Sequence, residues 1–156
     1  MSQEPRKQVK PRQVSRRPAR VFAMQLLYAM KISGGTIAEC APGVLGEMEV
    51  EKSMQAYGIA LVEFQLGHAE EIDKIIAEAS VSWALERIAA VDLCVLRMAL
   101  AELMSTDVPV KVAMAEASQI AIKFSTADSG KFVAGILNFY AESQNLFGSK
   151  PKEESK

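Results

Sequence analysis

Between Val112 and Tyr140, apolar residues recur at three- and four-residue steps on both sides of one polar interruption. That spacing is one face of an α-helix, twice over, and it constrains this stretch to two helices joined by a short break. Ala113, Ala117, Ile120, Ala121 and Phe124 form the first stripe; Val133, Ile136, Leu137 and Tyr140 form the second. The interruption, Ser125 to Gly130, consists of small polar residues suited to turns and helix caps. Lys131 and Phe132 open the second helix. Phe132 stands slightly off the core stripe, beside a loop and a lysine, where a site for a flat, negatively charged partner can be built.

Composition extends the helical reading to the whole chain. Of 156 residues, 49% are apolar but only 6% aromatic, with Ala, Leu, Ile, Val and Met plentiful. Such a bias suits helices packed on helices, in one domain or in two small subdomains sharing a core. Charge is uneven. Residues 1–20 hold seven basic side chains (Arg6, Lys7, Lys10, Arg12, Arg16, Arg17, Arg20) against Glu4, a net +6. Since the whole chain carries −1, the remainder carries −7. A basic arm on an acidic body points to a polyanion for the arm and another partner for the body. A solvated tail is the plainer explanation of the same charges.

Residues 1–15 have no hydrophobic period and are expected to be disordered alone, as is the charged tail from 148 to 156. Pro18 suits the first turn of a helix whose apolar face is Phe22, Ala23, Leu26, Leu27 and Met30. Eleven residues make about three turns, so Arg17 lies over Tyr28 and Arg20 over Lys31. Gly34-Gly35 ends this helix. Thr36 and Glu39 form a capping box for a short helix that Pro42 and Gly43 are expected to stop. From Glu47 a helical pattern resumes, with Met54, Tyr57, Leu61 and Phe64 on one face. Gly58 and Gly67 suggest close helix packing or a bend, and a break is expected near Gly67-His68. Glu70, Glu71, Asp73 and Glu78 read as an acidic solvated face. Ser82 is placed as a cap, Trp83 as a core anchor, and Ile88, Val91, Val95, Leu96, Ala99 and Leu103 as one long stripe. Arg97 is expected to pair with a carboxylate inside the bundle or to contact a ligand. Pro109 opens the next helix.

The two cysteines, Cys40 and Cys94, lie far apart without metal or redox spacing and are expected to be buried and reduced, as in cytoplasm. His68 is the sole histidine, with neither a second His nor a Cys near it, and reads as a surface or cap residue. No apolar run approaches the roughly 18 residues of a membrane span, and no secretory h-region follows the basic start. There is no Walker loop, dinucleotide fingerprint, zinc spacing or nucleophile elbow. These absences speak against an enzyme and against a cofactor or metal.

Three blocks, in order, resemble the NusB family of bacterial transcription antitermination factors. One is the arginine-led helix ending Met24-Gln25-Leu26-Leu27-Tyr28. The next is Leu96-Arg97-Met98-Ala99-Leu100-Ala101-Glu102-Leu103, followed by Val108-Pro109-Val110-Lys111-Val112-Ala113. The last comprises Glu116-Ala117, Asp128-Ser129-Gly130-Lys131-Phe132-Val133 and Gly135-Ile136-Leu137. Together they span residues 16 to about 140. The resemblance implies an all-α fold of about seven helices in two packed helical subdomains, about 16–80 and about 81–147. It implies a non-catalytic protein that binds boxA RNA and pairs with NusE, a small-subunit ribosomal protein, before loading onto RNA polymerase with other Nus factors.

On this resemblance, Arg16, Arg17, Arg20 and Tyr28 match the RNA surface, together with Asp128, Lys131 and Phe132. Arginines can neutralise phosphates, and an exposed phenylalanine can stack an unpaired base. Asp128 is open to two readings: a helix N-cap, or an acceptor for a base amino group. Glu86 and Asp92 match acidic positions on the NusE side, where an ordinary solvated helix face is the alternative. The chain departs from the family at Pro18, which interrupts the arginine run, and at Ala115 and Ala134, where asparagines are common. Two other functions remain in view: a protein-interaction module or homodimer without RNA, and the RNA-binding domain of a cytosine methyltransferase. The second needs a cofactor domain for which a chain ending at Lys156 leaves no room.

Overall fold

The computed structural model describes residues 15–80 and 84–147. The expectations for the basic arm before Ser15, for Ser82 and Trp83, and for the tail after Phe147 lie outside the described residues. Seven α-helices occur among the described residues: α1 (Arg17–Ser33), α2 (Ile37–Leu45), α3 (Lys52–Gly67), α4 (Ala69–Ala79), α5 (Ala90–Ser105), α6 (Val110–Phe124) and α7 (Ala127–Ser143). A short 3-10 turn at Leu85–Arg87 precedes α5. No strand is present among the described residues.

α5 is the axis of the fold. Its residues Leu93 to Leu96 and Met98 to Glu102 are buried nearly all round, because α1, α3, α4, α6 and α7 all pack against it. The other helices bury one stripe each. On α1 these are Ala19, Phe22, Ala23, Leu26 and Leu27; on α6, Ala113, Ala117, Ile120 and Ala121; on α7, Val133, Ile136, Leu137 and Ala141. One apolar core runs through both halves of the chain. Arg97 on α5 donates two bonds of 2.9 Å to Asp73 on α4, which takes Asp73 out of the acidic solvated face. Cys94 is buried, and burial pushes its thiol up to about 11, so it remains protonated and inert at neutral pH. Cys40 is only partly buried, short of the burial expected for it.

Helix ends differ from the sequence reading in four places. Pro42 does not stop α2. Its φ is compatible with a helix, so the chain gives up one backbone bond and runs on to Leu45, where Gly46 N–H reaches Pro42 O at 2.9 Å. α3 starts at Lys52 rather than Glu47, with Glu51 in extended backbone as its N-cap. The long stripe ending at Leu103 is shorter as a helix: Leu85–Arg87 form the 3-10 turn, and only the part from Ala90 is α5. The interruption between α6 and α7 shrinks to Ser125 and Thr126, because Thr126 and Ser129 cap α7 and draw Ala127 to Gly130 into it.

Other ends fall as expected. The Thr36–Glu39 capping box is formed, and Gly34 closes α1 at φ 77°. The break at His68 is present, with the exposed imidazole stacked on Phe64 at 3.8 Å.

Gly58 is where α1 and α3 touch. A β-carbon there would stand 2.7 Å from the Phe22 ring and 2.9 Å from the backbone oxygen of Ala19. At Gly67 nothing lies within 4 Å of the corresponding position. Gly58→Ala is therefore expected to destabilise by about 1–3 kcal/mol through overpacking, despite alanine's better helix propensity. Gly67→Ala is expected to be neutral or stabilising by up to about 1 kcal/mol. Urea midpoints at unchanged slope check both.

Candidate nucleic-acid interface

The start of α1 carries a charged network that reaches into the core. Arg20 lies three and seven residues before the core residues Ala23 and Leu27, so its side chain is directed inward. It is 4% exposed and Glu102 on α5 is 1% exposed. The guanidinium grips the carboxylate with two bonds, Nε to Oε1 at 2.7 Å and Nη2 to Oε2 at 2.8 Å. Tyr57 on α3 donates its hydroxyl to the same carboxylate. Burial works against the charge on Arg20, but the bonds and field of Glu102 outweigh it and raise the guanidinium pKa. Burial, reinforced by Glu102, likewise raises the Tyr57 phenol and keeps it a donor.

Arg20 is thus an interior residue, and its placement on an exposed cationic stripe is corrected. A phosphate would have to displace a bidentate buried pair to reach it.

Arg17 and Arg16 lie outside this core pair. Arg17, 46% exposed, donates to both oxygens of Glu116 on α6, at 2.9 and 3.0 Å. The bonds from Arg17 hold the Glu116 carboxyl below its ordinary range. Arg20 Nη1 approaches the same carboxylate at 3.5 Å. The Arg16 guanidinium sits over the Tyr57 ring, 4.6 Å from its centre. Three arginines against two carboxylates leave one net positive charge, and Arg16 is the one without a carboxylate partner among the described residues. An open cavity of about 960 Å³ lies beside the cluster, lined among others by Arg16, Arg20, Tyr57, Pro109 and Glu116.

The second cluster is the first turn of α7. Thr126 is the N-cap, accepting from Ser129 N–H at 3.2 Å while Ser129 Oγ accepts from Thr126 N–H at 3.3 Å. Asp128 is therefore not the cap. It is exposed in the first turn, where its charge suits the helix N-terminus and its carboxylate is free to accept from outside. Lys131 is exposed, and Phe132 is half-buried, packed against the core along part of its ring.

α6 lies between the two clusters. Glu116 takes Arg17 on one flank, while Ser118 on the other flank donates to the Gly130 carbonyl of α7 at 3.1 Å. Two residues separate Glu116 from Ser118, about 3 Å along the helix axis. The outward face of α6 between them carries Val112, Ala115, Gln119 and Ile122, all exposed. Arg17 and the Gly130 carbonyl thus meet α6 at similar heights on opposite flanks of one helix, about 10 Å wide, and Arg16 and Lys131–Phe132 adjoin them in the chain. Tyr28 is exposed on the Arg17 side of α1, but about 16 Å farther along that helix.

The two acids matched to a protein partner part company. Glu86 is exposed on the 3-10 turn. Asp92 is 7% exposed, and its placement on a partner-facing surface is corrected. It stands three, four and seven residues before the core residues Val95, Leu96 and Ala99, so the helix turns it inward, where Ser129 Oγ donates to its Oδ2 at 3.0 Å.

The family model described as the NusB family matches residues 17–142. The chain belongs to the NusB family. It is similar to the transcription antitermination protein NusB of Symbiobacterium thermophilum, 42% identical over 133 residues, covering 80% of this chain and 87% of that protein. That of Trichlorobacter lovleyi is 40% identical over 124 residues, covering 79% and 87%. Among solved structures, a chain in the crystal structure of antitermination factors NusB and NusE in complex with dsRNA superposes with TM-score 0.74. It is 27% identical, covering 82% of this chain and 96% of that one. NusB of T. maritima superposes with TM-score 0.75 at 28% identity, covering 84% and 93%. The resemblance carried by the three sequence blocks is therefore a true membership, and the all-helical NusB fold is shown.

Sequence reasoning missed the roles of Glu102, Tyr57 and Glu116 in this family member. Glu102 carried a signal: it is the lone acid in an apolar run, in phase with Val95, Met98 and Ala99. Glu116 and Tyr57 carried none, because their partners lie 99 and 45 residues away.

Removing one member of the buried pair leaves the other uncompensated. Arg20→Ala is expected to cost about 3–5 kcal/mol, whereas Arg17→Ala, at a half-exposed pair, costs at most about 1 kcal/mol. Chemical denaturation of the two variants checks this. Glu116, with its folded pKa below the unfolded value near 4.5, contributes stability present above that pH and lost as pH falls through the folded value. Glu116→Gln is expected to remove this component, so its melting temperature falls less than wild type's below pH 4.5.

Proposed function

We propose that this chain is a non-enzymatic RNA adaptor of transcription antitermination, binding single-stranded boxA-like RNA together with NusE. The observation that carries the reading is the placement of a half-buried Phe132 and exposed Lys131 across α6 from Arg16, in a member of the NusB family. A half-exposed ring offers a stacking face to an unpaired base, and flanking cations follow the phosphates. The relative crystallised with NusE and dsRNA supports both classes of partner. Exposed Glu86 supplies an acidic contact for a basic ribosomal protein. Other Nus factors and RNA polymerase complete the assembly, in the cytoplasm; among the described residues no helix is long and apolar enough to cross a membrane.

The charge balance refines the RNA surface. Arg20 is consumed by Glu102 and Arg17 is matched by Glu116, so Arg16 and Lys131 supply the uncompensated charge. Arg17 can still offer hydrogen bonds to a phosphate at its exposed edge.

The test is a titration of boxA-like RNA, with and without NusE, against a scrambled strand and the same sequence as duplex. Sequence-dependent binding of the single strand, strengthened by NusE, is expected; equal affinity for all strands would overturn the reading. Phe132→Ala is expected to weaken binding by about 1–3 kcal/mol, more than it lowers stability. Arg16→Ala is expected to lessen the log–log salt slope by about 0.7, the value of one phosphate contact on a single strand.

A further inference from the structure

Asp92 is a buried acid for which the surface function has no use. One carboxylate oxygen, Oδ2, accepts from Ser129 Oγ at 3.0 Å; the other, Oδ1, is buried without a hydrogen-bond partner among the described residues. A carboxylate oxygen left unpaired in the interior costs stability. Its position in the first turn of α5 offsets some of that cost through the helix dipole. An apolar residue would fill this core position without the penalty, so the acid has another use.

What Asp92 holds is specific. Ser129 is 4% exposed and stands third in α7, one residue after Asp128 and two and three before Lys131 and Phe132. Its hydroxyl has a single hydrogen, and the carboxylate is the strongest acceptor within reach. The two lone pairs left on Ser129 Oγ then face Thr126 N–H at 3.3 Å and Thr126 Oγ at 2.9 Å, while Ser125 Oγ, at 3.1 Å, is the weaker, neutral acceptor for the same hydrogen. The whole cap of α7 is thereby tied to α5, the most buried helix of the fold.

We infer that Asp92 is a positioning residue that acts through Ser129 to fix the rotation of α7's first turn, and with it the direction of Asp128, Lys131 and Phe132 toward RNA. This rests on the RNA reading of that turn. Without the anchor, the α7 cap keeps its internal Thr126–Ser129 bonds but loses its tie to α5. The helix remains; the aim of the ring does not.

The experiment compares full-chain wild type, Asp92→Ala, Asp92→Asn, Ser129→Ala, Phe132→Ala and Asp92→Ala/Phe132→Ala. The probe is a fluorescent boxA-like single strand, with a scrambled strand as control. Amide hydrogen exchange of residues 127–132 is measured in parallel. Asp92→Ala and Ser129→Ala are each expected to weaken binding by about five- to tenfold, the scale of one net hydrogen bond. Asp92→Asn keeps affinity within about twofold of wild type, because its amide oxygen can accept the same hydroxyl. The double variant binds no more weakly than Phe132→Ala alone, since an unaimed ring and an absent ring are equivalent. Exchange at 127–132 rises in Asp92→Ala while α5 and the rest of α7 stay protected.

The inference is overturned if Asp92→Ala binds like wild type, if Asp92→Asn loses as much as Asp92→Ala, or if the Asp92 and Phe132 effects add. If Asp92→Ala does not fold, Ser129→Ala and its double with Phe132→Ala decide by the same comparison. Wild type binding both strands alike would overturn the RNA reading and this inference together. Wild type discriminating the strands while Asp92→Ala equals it overturns the positioning role alone.

Discussion

A bidentate ion pair between Arg20 and Glu102, sealed inside the bundle, is the constraint around which the rest is arranged. Desolvating two charges is costly, and their attraction offsets it only with excellent geometry and further bonds. Here the geometry is fork on fork, and Tyr57 occupies another acceptor site on the carboxylate. The pair joins α1 to α5, and Tyr57 adds α3, so three helices converge on one carboxylate. Such a junction sets register more sharply than apolar contact, because a shift by one residue would leave a charge unpaired in the core.

The same junction shapes the outer surface. Tyr57, fixed at its hydroxyl by Glu102, presents its ring to Arg16. Glu116 holds Arg17 and lies near Arg20, tying the first turn of α1 to α6. The exposed cation at this end therefore stands on a rigid foundation, its reach limited by stacking. On the opposite flank of α6, Ser129 plays a similar part for α7, linking the turn that carries Lys131 and Phe132 to α5. Each side of the proposed RNA surface is rooted in the central helix through a buried carboxylate: Glu102 on one side, Asp92 on the other.

Much of this architecture was legible in the residues. The stripes on α1, α6 and α7, the Gly34 stop, the Thr36–Glu39 box and the break at His68 all rest on spacing within a few residues. Where reading failed, a local rule met a competing one. Pro42 was tolerated because its fixed φ suits a helix and only one backbone bond is lost. Thr126 displaced Asp128 as cap because it formed a reciprocal pair with Ser129. The proposed site residues Arg16, Lys131 and Phe132 are accessible at least in part. Arg20 and Asp92 are not; both sit in phase with their helix's core stripe. Charge suggested the surface, phase indicated the interior, and phase prevailed because the Glu102 carboxylate for Arg20 and the Ser129 hydroxyl for Asp92 waited there as partners.

The sequence by itself determined seven amphipathic or buried helices, their approximate ends and membership in a family, since periodicity, caps and motifs are all short-range properties of a chain. Only the tertiary structure decided which charges face water. Arg20 meets Glu102 across 82 residues, Arg17 meets Glu116 across 99, and Ser129 meets Asp92 across 37. A charge enters a core only if its counterpart arrives at the same point, and that coincidence exists only once the helices have packed.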